Sequence, residues 1–270
     1  MNRVFDSRGQ LDRVPQRRPR PTPRRFERGL VNELWQYDGF DCLLADHTLA
    51  SVLHLSDDCS RTDVGLRAAR SENGQDVWEA FCVAVAEYGL PGGVLTDNGS
   101  AFSTKHSGST NKFEARLTAL GIQTITSRVS HPQTCGKNER AHQRVRKFLA
   151  RRPPAKNLDE LQDQLDEYRH GYNNRRNLVL GKLTPHQRFA LGPFAGPDEH
   201  RQIHTHLTRH IVSARGTVGV DKTLVGVGRA HATKTATVFR RGDHVTIFID
   251  DKLARDLILD RRRHYQPQDR

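Results

Sequence analysis

The chain has 270 residues, 35% of them hydrophobic, with a mean hydropathy of −0.71 and a formal net charge of +12. Such a length suits one large domain or a domain with a satellite. No apolar run approaches the ~18 residues a membrane span needs, and the start, MNRVFDSRGQLDR, has no apolar secretory core, so a cytoplasmic protein with no membrane partner is expected.

Four cysteines, Cys42, Cys59, Cys82 and Cys135, form no Cys-x-x-Cys pair, so neither a zinc knuckle nor a disulfide framework is indicated. His200, His204 and His206 lie close together without a downstream cysteine and read as solvated. The basic balance favours a polyanionic partner such as nucleic acid. Its distribution is uneven. Residues 1–30 hold nine Arg against Asp6, Asp12 and Glu27, and residues 200–270 hold eleven Arg and three Lys against seven Asp. The middle of the chain is close to neutral.

Residues 1–30 contain PQRRPRPTPRR. Four prolines among arginines exclude helix and central strand, so this segment is predicted to be an extended basic linker. Arg17, Arg18, Arg24 and Arg25 are its candidate phosphate contacts. LWQYDGFDCLL and SVLHLSDD then read as two strands joined near Asp46-His47, and TDVGLRAA as a third. In residues 73–88, Val77, Phe81, Val85 and Tyr88 recur at helical spacing and Gly89 ends the helix. GVLTD is a short buried strand, KFEARLTAL a second helix, and IQTITSR a further strand. Helices follow at about 135–150 and 158–172. The order β-β-β-α-β-α-β-α-α predicts an α/β domain, residues 31–192, with a mixed sheet and helices packed on it. Beyond Pro197, short β-like runs separated by Gly and Asp, HIVSARGTVGV the first of them, predict a small all-β module over residues 205–265, a barrel of five strands.

Three carboxylates stand in unusual settings. Asp38 interrupts an aromatic strand, WQYDGF; Asp97 ends the buried strand in GVLTDNGS; Glu139 lies early in the helix of HPQTCGKNERAHQRVRKFL. Asp-Asn-Gly is also ordinary turn chemistry, so Asp97 has a plain reading as well as a chemical one. If the first and fourth strands are neighbours and the helix after the fifth packs beside them, the three acids converge. At 100° per residue, Ala141, Val145 and Phe148 form a buried stripe; Arg140, Arg144 and Lys147 form a phosphate-facing stripe; Glu139, Gln143 and Arg146 form a third. Lys137 lies just before the acid. Converging carboxylates suit hard divalent ions, with Mg²⁺ the first choice and Mn²⁺ a substitute. A pair of such ions supports in-line phosphoryl transfer.

The runs NELWQYDGF, LTDNGSAF, SHPQTCGKNERAHQRVRKFL and YNNRRNLVLGKLTP resemble the integrase core of bacterial insertion-sequence transposases of the IS481 type, related to IS3-type transposases and retroviral integrases. The resemblance covers roughly residues 24–265. It implies an RNase H-like fold with a small SH3-like C-terminal barrel. It also implies a DDE triad of Asp38, Asp97 and Glu139 that binds Mg²⁺, and DNA cleavage and strand transfer by a homo-oligomer on transposon ends and target DNA. A bacterial, nucleoid-associated location follows from the same resemblance. His131 and Asn98 would position phosphate or water, though His131 in Ser-His-Pro-Gln reads equally as a turn residue. Three features depart from the pattern. Between Asp97 and Glu139 stand 41 residues, more than is usual for the family, with STKHSGSTN as the apparent insertion. Gly39 stands where a bulkier residue is common. The chain starts at the linker that ordinarily follows helix-turn-helix domains, so it is expected to lack that reader domain, which would be supplied fused or as a separate helix-turn-helix chain. A catalytically idle DNA-binding remnant and a plain RNase H-like nuclease are the alternative readings.

Overall fold

The computed structural model describes residues 28–96, 112–126, 132–197 and 205–268, with the side chains of 126 and 132–137 left aside. The predicted linker, apart from its last residues, lies outside this set, as do Asp97, Asn98, His131 and the STKHSGSTN segment.

Five strands form the central sheet: β1 (Trp35–Leu43), β2 (Leu49–Asp57), β3 (Asp63–Ala69), β4 (Gly93–Thr96) and β5 (Gln123–Thr126), in the order β3-β2-β1-β4-β5. The first three form an antiparallel meander, and β1, β4 and β5 run parallel. The sheet is therefore mixed, and β1 and β4 are neighbours, as the sequence reading required. Helices α1 (Gly74–Tyr88) and α2 (Lys112–Ala119) follow β3 and precede β5, and α3 (Pro132–Leu149) and α4 (Leu158–Asn173) follow β5. A 3-10 turn at Leu178–Leu180 and a short α5 (Pro185–Ala190) close the domain; neither was anticipated.

Side-chain alternation along β1 divides the core into two layers. Trp35 and Tyr37 point to one face and pack with Val77, Phe81 and Val85 of α1 and with Phe113 and Leu117 of α2. Phe40 points to the other face and packs with Val145 of α3 and with Leu161 and Leu165 of α4. The predicted stripe of α3 is the one that is buried: Ala141 is 5% and Val145 0% exposed. Helix starts follow local chemistry. Asn73 caps α1 by accepting from the Gln75 and Asp76 amides, and Asn157 caps α4 by accepting from the Glu160 amide.

The C-terminal region is all-β, with seven strands where the sequence predicted five: β6 (Thr205–Ile211), β7 (Thr217–Val220), β8 (Thr223–Gly226), β9 (Thr235–Arg241), β10 (His244–Ile249), β11 (Lys252–Ile258) and β12 (Tyr265–Gln266). They form a four-stranded sheet, β11-β10-β9-β6, and a three-stranded sheet, β12-β8-β7. The run HIVSARGTVGV, read as one strand, is broken at Gly216. Its φ is +76°, and a Cβ there would lie 2.3 Å from the Gly228 carbonyl carbon. Only glycine fits this close approach, so the chain turns there and β7 starts afresh. Asp221 and Lys222, both at positive φ, form the tight turn into β8.

This module is seated on the α/β domain. Val245, Ile247 and Ile249 of β10 face the module's own interior, whereas Phe248, with Phe239 of β9, joins the cluster under α1. That is why nearly every residue of β10 is buried: the strand has apolar neighbours on both faces. Trp78 packs at the seam, its ring 5.7 Å from Phe239 and edge-on to Phe248 at 5.4 Å. Arg116 of α2 is 3% exposed, lies over the Trp78 ring at 4.8 Å, and pairs with Asp251 Oδ1 at 2.7 Å. Arg209 of β6 pairs with Glu79 of α1.

Candidate active site

Asp38 lies on β1 directly opposite His54 of β2, so both side chains stand on the α3 face of the sheet. The Asp38 carboxylate is 23% exposed. Its Oδ1 accepts from the Gly39 amide at 2.9 Å, and its Oδ2 lies 3.9 Å from His142 Nδ1 on α3. His142 is itself buried and packs its ring 4.7 Å from Phe40. Burial, with lesser contributions from His54 and Arg146, pulls the His142 pKa down to about 3, so this imidazole is neutral.

Glu139 is exposed on the same helix, three residues before His142. Residues three apart on a helix share a face, so the turn that brings His142 near Asp38 also carries Glu139 towards the same stretch of β1. The second strand of the predicted constellation arrives there too. Parallel β4 pairs with β1 through Trp35↔Val94, Gln36↔Leu95 and Tyr37↔Thr96. The last pair stands one residue before Asp38 on one strand and one residue before Asp97 on the other. Asp97, Asn98 and His131 are outside the described residues, as is the side chain of Lys137.

The basic residues of α3 have different surroundings. Arg140 and Lys147 are exposed. Arg144 lies over the Tyr172 ring of α4 at 4.8 Å and donates to the Tyr172 hydroxyl at 3.3 Å. Arg146 lies over the Phe40 ring at 4.8 Å, two residues along β1 from Asp38. The leader arginines Arg17, Arg18, Arg24 and Arg25 are outside the described residues.

Gly39 also has a local reason. A Cβ at this position would stand 1.9 Å from Glu72 Oε1, so a bulkier residue here requires the flexible Glu72 side chain to swing aside. Glu72, His54 and His142 were all missed in the sequence. Glu72 precedes the cap of α1 and carries no periodic signal. His54 sits in a strand of mostly apolar residues. His142 alone had a legible signal, its spacing of three from Glu139.

Among the described residues no group of three or more His, Cys, Asp or Glu side chains is arranged to hold a metal ion, and no helix is long and apolar enough to cross a membrane. Cys42, Cys59 and Cys82 are free thiols.

Two family models, both described as integrase core domain, match the chain, one over residues 30–132 and one over residues 120–185. Among solved structures, a chain of the simian T-cell lymphotropic virus intasome in complex with PP2A regulatory subunit B56 gamma is 17% identical with a TM-score of 0.52, covering 86% of this chain and 81% of that one. This likeness is one of fold. The HTLV-2 integrase catalytic core domain in complex with magnesium is 21% identical with a TM-score of 0.46, covering 59% of this chain and 97% of that one. The BIV integrase catalytic core domain is 20% identical with a TM-score of 0.42, covering 59% and 95%.

Proposed function

From a chain that carries an integrase core domain, we propose a DDE transposase of the IS481 type, which cleaves a phosphodiester at a transposon end and joins the freed 3′-hydroxyl to target DNA. The observation that carries this reading is the meeting of three elements around Asp38, midway along β1. Strand β4 pairs with β1 up to Tyr37↔Thr96, and α3 touches Asp38 through His142, one turn from Glu139.

The acids suit a hard divalent cation. Asp38 offers a partly exposed carboxylate at a strand position, Glu139 an exposed one, and Asp97 is the residue after β4; carboxylate oxygens are the donors that Mg²⁺ and Mn²⁺ prefer. Asp38 and Asp97 would hold one ion, and Asp38 with Glu139 the second. When bound, such ions activate the attacking oxygen and stabilise the leaving one.

The chain's own cations do the holding. Arg140 and Lys147 on α3, with Lys137 and the leader residues Arg17, Arg18, Arg24 and Arg25, bind phosphate oxygens and set the register of the DNA. Arg144 supports the same face from its seat on Tyr172. His131 and Asn98 orient phosphate or water. The C-terminal module adds basic surface and, fixed to α1 and α2 by the Trp78 seam, holds it at a constant distance from the acids. Strand transfer at two transposon ends calls for at least two copies of the chain on the DNA.

The test is nicking and strand transfer of end-labelled DNA with Mg²⁺ or Mn²⁺. Asp38→Asn, Asp97→Asn and Glu139→Gln should each abolish both reactions while DNA retention and thermal stability persist. Wild-type activity in any one of them removes that residue from the triad. A wild-type chain that retains DNA yet cuts nothing with either metal would establish the idle-remnant reading instead.

A further inference from the structure

Behind Asp38 stands a packed pair of imidazoles that the three acids do not by themselves require. His54, the cross-strand partner of Asp38, is 3% exposed, and its Nε2 lies 2.9 Å from Asp63 Oδ1. Asp63 is fully buried and is clamped through its backbone by α4. Its amide donates to Asn173 Oδ1 at 2.9 Å, and its carbonyl accepts from Asn173 Nδ2 at 3.0 Å. This fixed pair forms one wall for His142, whose ring centroid is 5.5 Å from that of His54. Phe40 forms another at 4.7 Å. His142 therefore has little rotational freedom, and the nitrogen it presents to the Asp38 carboxylate is Nδ1.

We infer that His142 is a positioning residue for Asp38. Its Nδ1–H steers the Oδ2 side of the carboxylate while the Gly39 amide holds Oδ1, so that Asp38 meets a divalent cation in one orientation. This rests on the reading of Asp38 as a metal-holding acid. Asp38 Oδ2 is the charged acceptor that faces His142 Nδ1, and a carboxylate is a stronger acceptor for an N–H than a neutral group. The 3.9 Å separation is longer than a hydrogen bond. Contacts of this kind commonly tighten only in the loaded site. Residues that orient a ligating carboxylate in this way affect metal affinity without touching the metal. A histidine that merely filled the space between α3 and the sheet would affect only stability.

The experiment is calorimetric titration of the full chain with Mn²⁺, alongside thermal unfolding without metal. His142→Phe keeps the ring's packing and removes the donor. It should leave the unfolding temperature nearly unchanged and weaken Mn²⁺ binding about tenfold or more. His142→Asn, whose side-chain amide can place an N–H close to the Nδ1 position, should restore most of the affinity. Asp38→Asn should abolish the response, and His142→Phe should then have no further effect in that background. If His142→Phe fails to fold, His142→Ala against His142→Asn decides: loss in the first with retention in the second supports the role. Wild-type affinity in His142→Phe, or equal loss in the Phe and Asn variants, overturns it. If Asp38→Asn itself binds Mn²⁺ like the wild type, the metal reading of Asp38 fails and this inference with it. If Asp38→Asn loses binding while His142→Phe does not, only this inference fails.

Discussion

Trp78→Ala should uncouple the β-module from the sheet domain. Trp78 is 6% exposed, and four aromatic rings surround it: Phe81 at 5.6 Å, Phe113 at 6.3 Å, Phe239 at 5.7 Å and Phe248 at 5.4 Å. Replacing a buried tryptophan with alanine costs about 3–5 kcal/mol through lost burial and the cavity left behind. Two of the four rings belong to the module. At about 0.5–1.5 kcal/mol per aromatic pair, roughly 1–3 kcal/mol of the loss falls on the seam. The Arg116 guanidinium, stacked on the same ring at 4.8 Å, adds about 0.5–2 kcal/mol of cation–π attraction to what is lost. These terms overlap, so the total should stay near the upper half of the 3–5 kcal/mol range. The assay is equilibrium denaturation followed by far-ultraviolet circular dichroism. The wild type should unfold in one transition and Trp78→Ala in two, because the module keeps its own valine and isoleucine core while losing its seat. Phe248→Leu, which trims the seam from the module's side, should show the same separation at smaller cost. A total loss below about 1 kcal/mol with a single transition would refute the view that Trp78 joins the two units, since no buried tryptophan with these neighbours is so cheaply removed.

Two further outcomes follow from other parts of the molecule. The Tyr88 hydroxyl lies 2.9 Å from His186 Nε2, and burial chiefly, with Arg169 and His170 acting against Glu87, holds the His186 pKa below its ordinary value. A depressed histidine pKa means that the unfolded chain takes up the proton first, so stability is full above about pH 6.5 and falls as pH drops towards the folded value. His186→Asn should therefore flatten part of the decline in unfolding temperature on the acid side of that value, and an unchanged profile would show that His186 does not contribute. DNA binding, in turn, should weaken steeply with salt, at a slope of about −0.9 per neutralised phosphate. Removing residues 1–27, with eight of the leader's nine arginines, should make that slope distinctly shallower, and an equal slope in the shortened chain would mean that the leader makes no phosphate contacts.

The sequence determined the order of the five sheet strands and four main helices of the α/β domain and the buried faces of α1 and α3. Helical spacing in Val77, Phe81 and Val85, and in Ala141 and Val145, predicted which sides of α1 and α3 are covered, and both are. Such stripes survive in sequence because a helix face repeats every 3.6 residues whatever it packs against. Asp38 and Glu139 stand out as candidates for a related reason: a carboxylate amid aromatic strand residues, or within an arginine-rich helix, breaks the surrounding pattern. The split of one expected strand at Gly216 was not legible, because the need for glycine there arises from the Gly228 backbone. Nor was the meeting of His54, Asp63 and His142 with Asp38, or the Phe239–Trp78–Phe248 seam. These contacts join residues from separate strands and helices, and β10, a mostly apolar strand interrupted by Thr246, has two faces that serve different cores. Periodicity reports that a side chain is buried; only the packing of the sheet against α3, and of the module against α1, decides which partner buries it. That choice depends on strand order and register, which fix positions in space that no local spacing encodes.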